Sequence, residues 1–365
     1  MDLSPAPGLP GPTDPDNLFG ELDVGLEAGA SDWQFKGGEP CCLRVTGAIV
    51  PLAQPPLAES RLQAIVMAAL GSSTRIPTDL DAAFAYRGEF FRLHTYSAGG
   101  SFCINLRHVP SRIRRLESLG IPAAFRDIAL KCPRGLILVT GPTGSGKSTT
   151  LAAAIDHLNG KNPEVILTFE DPIEFRHPNR RGLVRQLQKG LDFENFAQAL
   201  RGALRSDPDV ILVGELRDAE TIAAALTAAE TGHLVLGTLH CGTARDAVSR
   251  VTDAFPPERS AEVRAQLAKN IVAVLAQQLV LSRDRRLVGA FELMLGSTGV
   301  RHLIADPERK YSLLANEIST GCAHGMISMD QSLQDLCRRR VIDRAEAIRC
   351  AVNPPALESL LQSSR

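Results

Sequence analysis

Residues 139–155, VTGPTGSGKSTTLAAAI, decide how this chain is read. An apolar strand runs into a loop carrying Gly141, Gly144 and Gly146, and a helix of small residues opens at Lys147. Glycines let consecutive backbone N–H groups turn inward, and the following helix aims its positive dipole end at the same point. GPTGSGKS fits G-x-x-x-x-G-K-[ST] in full. Accident supplies those fixed positions in roughly one chain of this length per hundred, and the flanking strand and helix make accident rarer. Such a loop holds the phosphates of a nucleoside triphosphate. The expected contacts are Gly141, Pro142, Thr143, Gly144, Ser145, Gly146, Lys147, Ser148 and Thr149. Lys147 would reach the β- and γ-phosphates, and the Ser148 hydroxyl would serve Mg2+.

Outward from the loop, apolar strands alternate with helices. In order they are GLILVTG, a helix from Lys147 to Gly160, EVILTFE, FENFAQALRGALRS, DVILVGE, DAETIAAALTAAET closed by Gly232, and HLVLGTLH. Short continuous apolar strands separated by helices predict a parallel sheet buried on both faces. Thr243 and Asp246 form a predicted capping box. SAEVRAQLAKNIVAVLAQQLV, a strand RLVGAFELML, and helices near 297–304, 329–339 and 343–352 follow. Upstream, CLRVTGAIVPL reads as two strands about Thr46-Gly47, and EFFRLHTYSAGGSFCINLRHV as two more about Gly99-Gly100. AESRLQAIVMAAL between them has helical spacing. The expected architecture is α/β, with a parallel-sheet P-loop NTPase core at 123–365 and a smaller α+β domain at 18–109. A disordered tail at 1–17 and a linker or hinge at 110–122 complete it.

Phosphoryl transfer needs metal held, water oriented and developing charge neutralised. In a parallel sheet, those groups belong at the carboxyl ends of strands beside the loop. Glu170 and Asp171 end one strand and are candidates for metal or water contact. Glu215 ends another, placed to polarise the attacking water, with Gly214 where a metal-holding aspartate often stands. His240 ends a third strand, to sense or stabilise the γ-phosphate, and His233 at that strand's start is a further catalytic candidate. Arg201 and Arg205, four apart on one helix face, would bridge acids or line a subunit contact.

Composition narrows the classes. The 365 residues carry 40 basic and 41 acidic side chains, a formal charge of −1, so no overall basic footprint points to nucleic acid. Eight cysteines show no C-x-x-C pair and no metal spacing, so no zinc is expected, and Cys41-Cys42 is given no role. No segment approaches the ~20 apolar residues of a membrane span. The start MDLSPAPGLPGPTDPDN lacks the basic-then-apolar pattern of a secretory signal. The expectation is a cytoplasmic protein.

The segments GPTGSGKST, FEDPIEF, ILVGELRD and TGHLVLGTLH, in that order, resemble the secretion-type traffic ATPases, motors of type II secretion and type IV pili. Within that family the resemblance is strongest to the pilus retraction, or twitching-motility, branch. ASDWQFKGGEP is similar to its ASDLH box, GVRHLIAD to its RNLIRE segment, and GCAHGMISMDQSL to its HGM…MDQ stretch. The resemblance covers roughly residues 28–356. It implies a RecA-like core, a PAS-like amino-terminal domain, a homohexamer and hydrolysis of ATP with Mg2+. It further implies arginines, Arg92 and Arg107, supplied to the γ-phosphate from a neighbouring domain or subunit. The implied partners are an inner-membrane pilus platform protein and a paralogous pilus motor, with no nucleic acid. Membrane association would be peripheral, through those partners, at the inner face. The sequence departs from the pattern at Trp33-Gln34, and RHLIAD keeps Arg301 but carries Ala305 and Asp306. Those departures leave an accessory or weakly active retraction ATPase as the alternative, with a hexameric nucleic-acid translocase behind it.

Overall fold

The computed structural model describes residues 9–12, 14, 17–71, 76–109, 113–306, 308 and 311–362. The chain divides into two compact units, Met1–Ser111 and Arg112–Arg365.

In the first unit, strands β1 (Leu9–Pro10), β2 (Ala30–Lys36), β3 (Cys42–Val45), β4 (Ala48–Ala53), β5 (Leu80–Tyr86), β6 (Glu89–Ala98) and β7 (Ser101–Val109) form one sheet. Their order is β1-β4-β3-β2-β7-β6-β5. Two-residue alternation divides the faces. Trp33, Phe35, Phe91, Leu93, Ile104 and Leu106 build one core with Leu22, Leu62 and Ile65 from the helices Gly20–Glu27 and Glu59–Leu70. On the other face Arg44, Asp32, Arg107 and Arg92 stand in successive register across β3, β2, β7 and β6. Trp33 is fully buried and its indole N–H donates to the Glu21 carbonyl at 2.8 Å. It fits because Gly25 faces it: a Cβ there would lie 2.3 Å from the ring. Part of the expected tail, residues 1–8, 13, 15 and 16, lies outside the described residues. Leu9 and Pro10 are not disordered: they pair in parallel with Leu52 and Ala53.

The expected linker also shrinks. Residues 110–112 lie outside the described residues, but Leu116 is buried in the second core and Ile113, Leu119 and Ile121 pack against it. That unit holds β8 (Gly135–Thr140), β9 (Val165–Glu170), β10 (Leu183–Gln188), β11 (Val210–Val213), β12 (Leu234–Leu239), β13 (Ile271–Leu281) and β14 (Leu287–Leu295). The sheet order is β10-β9-β11-β12-β8-β13-β14, with β14 antiparallel to β13 and every other pair parallel. Each residue of β8, β11 and β12 is buried, as a sheet covered on both faces requires.

The segment SAEVRAQLAKNIVAVLAQQLV contains two elements, the helix Pro257–Asn270 and β13. Arg301 explains the sharp junction. Its guanidinium donates to the carbonyls of Ala268 (2.7 Å), Lys269, Ile271 (2.7 Å) and Gly296 (2.8 Å), satisfying the helix's terminal acceptors. Arg301, which RHLIAD has in common with the RNLIRE pattern, is therefore a helix cap, whereas the departure at Ala305 is exposed. Among the described residues no helix is long and apolar enough to cross a membrane.

Candidate active site

The loop after β8 is shaped by close approaches. Gly141 has φ 154°, and a Cβ on it would lie 2.2 Å from the Gln277 carbonyl of β13. Gly146 has φ 88° and caps the helix Lys147–Lys161 in the left-handed region, which favours glycine. Gln277 also donates its side-chain amide to the Ser145 carbonyl at 2.7 Å, fixing the loop from the neighbouring strand. The Lys147 ammonium donates to the carbonyls of Gly141 (2.8 Å) and Pro142 (3.0 Å). Burial pushes its pKa below the ordinary lysine range, opposed by the charges of Glu215 and Glu174.

Strand ends bring the acids to this loop. β9 ends at Glu170, β11 is followed by Gly214 and Glu215, and β12 by His240. Gly214 has a structural reason: its N–H donates to the Phe169 carbonyl at 2.7 Å, and a Cβ would lie 3.3 Å from the Glu170 Cα. With that position crowded, the nearby carboxylates come from β9 and from Glu215. Leu216 fastens the Glu215 turn, donating its N–H to the Thr238 carbonyl at 3.0 Å and packing where Gly237 lacks a side chain. Asp218 then accepts from the Thr221 N–H at 2.8 Å and starts the helix Ala219–Glu230.

His240 connects the two halves. Its Nδ1 lies 3.5 Å from the Lys147 Nζ and its Nε2 lies 3.5 Å from Glu215 Oε1. The other Glu215 oxygen lies 2.7 Å from the Arg217 guanidinium. Burial would raise the Glu215 pKa, but the Arg217 hydrogen bond and the charges of Arg217, His240 and Lys147 outweigh it and lower it. Glu170 has no such cations. Its Oε1 accepts from the Thr168 hydroxyl (2.7 Å) and the Gln186 amide (3.0 Å), and burial raises its pKa against those donors. Asp171 is exposed and paired with Lys189 at 3.1 Å.

A cleft of about 530 Å3 gathers Thr143, Gly144, Gly146, Lys147, Ser148, Thr149, Glu170, Asp171, Glu215 and His240. Gly141, Pro142 and Ser145 support it from behind through the carbonyl bonds just described. Among the described residues no cluster of three or more His, Cys, Asp or Glu could hold a metal ion. Mg2+ does not need one, since it is commonly held by one or two oxygen ligands plus substrate phosphates. The Ser148 hydroxyl and the carboxylates of Glu170 and Asp171 in one cleft fit that chemistry.

His233 lies apart from the cleft. It lies at the amino end of β12, its Nδ1 2.9 Å from the Ala228 carbonyl and 3.2 Å from the Thr231 hydroxyl. One strand length, roughly 20 Å for six residues, separates it from His240, so within this chain it has no part in the cleft. Arg92 and Arg107 belong to the other unit. Arg107 binds the buried Asp32 at 2.8 Å, and Arg92 lies 3.5 Å from Asp81. Arg201 lines a different groove, with Glu220 and Arg259.

The sequence reading missed several contributors. Arg217 stood unassigned inside the quoted GELRD. Lys189, Phe196 and His177 line the cleft, and burial pushes the His177 imidazole down to about 4. Gln277 and Gln186 reach the site from strands that carry no motif.

The family model for "Type II/IV secretion system protein" matches residues 30–328. The chain is 41% identical over 331 residues to the type IV pilus retractation ATPase PilT of Pseudomonas aeruginosa, covering 89% of this chain and 95% of that protein. It is 40% identical over 338 residues to a twitching motility protein of Neisseria gonorrhoeae, covering 91% and 89% respectively. The crystal structure of the pilus retraction motor PilT with bound ADP superposes with a TM-score of 0.86 at 35% identity, covering 95% of this chain and all of that one. Loop, strand-end acids, fold and similarity thus agree that the chain belongs to the Type II/IV secretion system protein family, as one of its ATPases.

Proposed function

We propose that this chain is the subunit of a homohexameric motor that hydrolyses ATP to ADP and phosphate and drives type IV pilus retraction. The observation that carries the chemistry is the short path Lys147–His240–Glu215, which brings the phosphate loop and a carboxylate base into one cleft.

The loop N–H groups and Lys147 cradle the triphosphate, Lys147 leaving the loop carbonyls for the β- and γ-oxygens. Ser148, Glu170 and Asp171 would hold Mg2+, which would supply positive charge beside the phosphates. Glu215 orients a water in line with the γ-phosphorus and accepts its proton as the new P–O bond forms. The bond from the γ-phosphorus to the β-bridging oxygen breaks, and ADP leaves. His240, within reach of both Lys147 and Glu215, responds to whether the γ-phosphate is present. Arg92 and Arg107, delivered by a neighbouring subunit, would add positive charge in the transition state. For that they must exchange Asp81 and Asp32 for phosphate. Motion of the amino-terminal unit relative to the ATPase unit would then turn hydrolysis into force. The partners are a platform protein at the inner face of the cytoplasmic membrane and a paralogous pilus motor.

Lys147→Ala tests the reading. Turnover should fall at least ~100-fold, and cells carrying this variant should keep surface pili that no longer retract. Unchanged turnover would overturn the ATPase reading; loss of surface pili would point to assembly rather than retraction. The altered RHLIAD segment favours an accessory motor as the second reading, and steady-state turnover of the purified hexamer separates the two.

A further inference from the structure

We propose that Gln186, on the edge strand β10, is a positioning residue that sets the orientation of the Glu170 carboxylate. The inference rests on the reading of Glu170 as a ligand for the metal or its water. Gln186 stands opposite Thr168 in the parallel register of β10 and β9, and Gln188 stands opposite Glu170. Thr168 and Glu170 share one face of β9, as do Gln186 and Gln188 of β10. The Glu170 side chain folds back along its strand, so that the Thr168 hydroxyl and the Gln186 amide both donate to the same oxygen, Oε1. Two donors on one oxygen fix the plane of the carboxylate.

Gln186 is itself held at every polar atom. Its amide nitrogen also donates to the Phe175 carbonyl at 2.8 Å, and its oxygen accepts from the His177 N–H at 2.9 Å. That pair of partners settles which end of the amide is nitrogen. One side chain thereby ties β10 to both ends of the acidic segment 170–177. Two residues on, the Gln188 oxygen lies 3.4 Å from the Ile173 N–H in the middle of that segment. Residues behind a metal ligand typically matter by 10–100-fold, and among the described residues Thr168 is the other side chain that donates to Glu170.

The experiment is a double-mutant cycle of Gln186→Leu and Glu170→Ala in the full-length protein, read by two measurements. The first is steady-state turnover. The second is affinity for a non-hydrolysable ATP analogue with and without Mg2+, which decides even if turnover is absent. Gln186→Leu alone should lower kcat about tenfold and reduce the Mg2+-dependent gain in analogue affinity about tenfold. In the Glu170→Ala background the same substitution should change either quantity less than twofold. Equal losses in both backgrounds would overturn the proposal and make Gln186 a general brace of the edge strand. Gln186→Glu keeps the acceptor for His177 but sets a carboxylate against Glu170, so its loss should be at least as large. A variant behaving like the unmodified protein would also overturn the proposal. An unmodified protein that neither binds nor hydrolyses ATP would instead overturn the ATPase reading.

Discussion

β9 and β11 are neighbours in the sheet, and each delivers a glutamate to the same cleft, yet the two carboxylates live in opposite surroundings. Glu170 is embraced by neutral donors, Thr168 and Gln186, and burial raises its pKa. Glu215 stands among cations, Arg217, His240 and Lys147, which lower its pKa in spite of burial. Pairs of titratable groups pushed apart in this way are how a site divides labour between similar side chains. Glu215 remains charged over the working pH range and has a fixed partner on each oxygen, which suits a residue that orients water and receives a proton. Glu170 gains its full charge stabilisation only when a cation arrives beside it, which suits a ligand.

The largest break in that comparison comes from Glu215→Gln. An amide cannot accept the proton, and general-base contributions run at 10²–10⁴-fold. Turnover should fall about 1,000-fold while ATP affinity changes by less than about threefold. Normal hydrolysis by this variant would remove Glu215 from the mechanism. Glu170→Gln is expected to cost less, about 10–100-fold in turnover, with a raised Mg2+ requirement that Glu215→Gln does not share. A Mg2+ titration of both variants separates the roles. Identical Mg2+ curves would mean that the two carboxylates do the same work.

How far this contrast could be read in advance depends on where the information lies in the chain. The phosphate loop was legible because its glycines, lysine and serine act within eight consecutive residues. Glu170, Glu215 and His240 were legible because strand ends are marked by the end of an apolar run. His233 shows the limit of the same cue: TGHLVLGTLH brackets one strand with histidines, and a six-residue strand sends its ends to opposite edges of the sheet. β10 was overlooked because LVRQLQ alternates polar and apolar residues at an edge, so it lacks the continuous apolar run of its neighbours. With it went Gln186. Gln277 acts on Ser145 across 132 positions of sequence, beyond any local pattern. The partners of Arg92 and Arg107 appear only when β2, β5, β6 and β7 are laid side by side.

The smallest predicted effect, from Arg217→Ala, sharpens the comparison most directly because it strips Glu215 of its nearest cation. The sign follows from the opposing causes. Glu215 works as a base only when ionised, so activity is lost as pH falls through its folded-state pKa, which now lies below the ordinary glutamate range. Without Arg217, burial keeps pushing the pKa up, and His240 and Lys147 remain as the opposing charges. The acid limb of the kcat/KM profile should therefore move to higher pH, toward the behaviour of Glu170, while turnover at pH 7 changes less than about threefold. Arg217 is 69% exposed, so solvent and salt weaken its hold. Raising ionic strength in the unmodified protein should move the limb the same way by a smaller amount. A carboxylate NMR titration of Glu215 reads the same shift without turnover. An acid limb that stays in place in Arg217→Ala would assign the low pKa to His240 and Lys147 instead. The functional pairing would then lie within the phosphate-loop side of the cleft rather than at the GELRD turn.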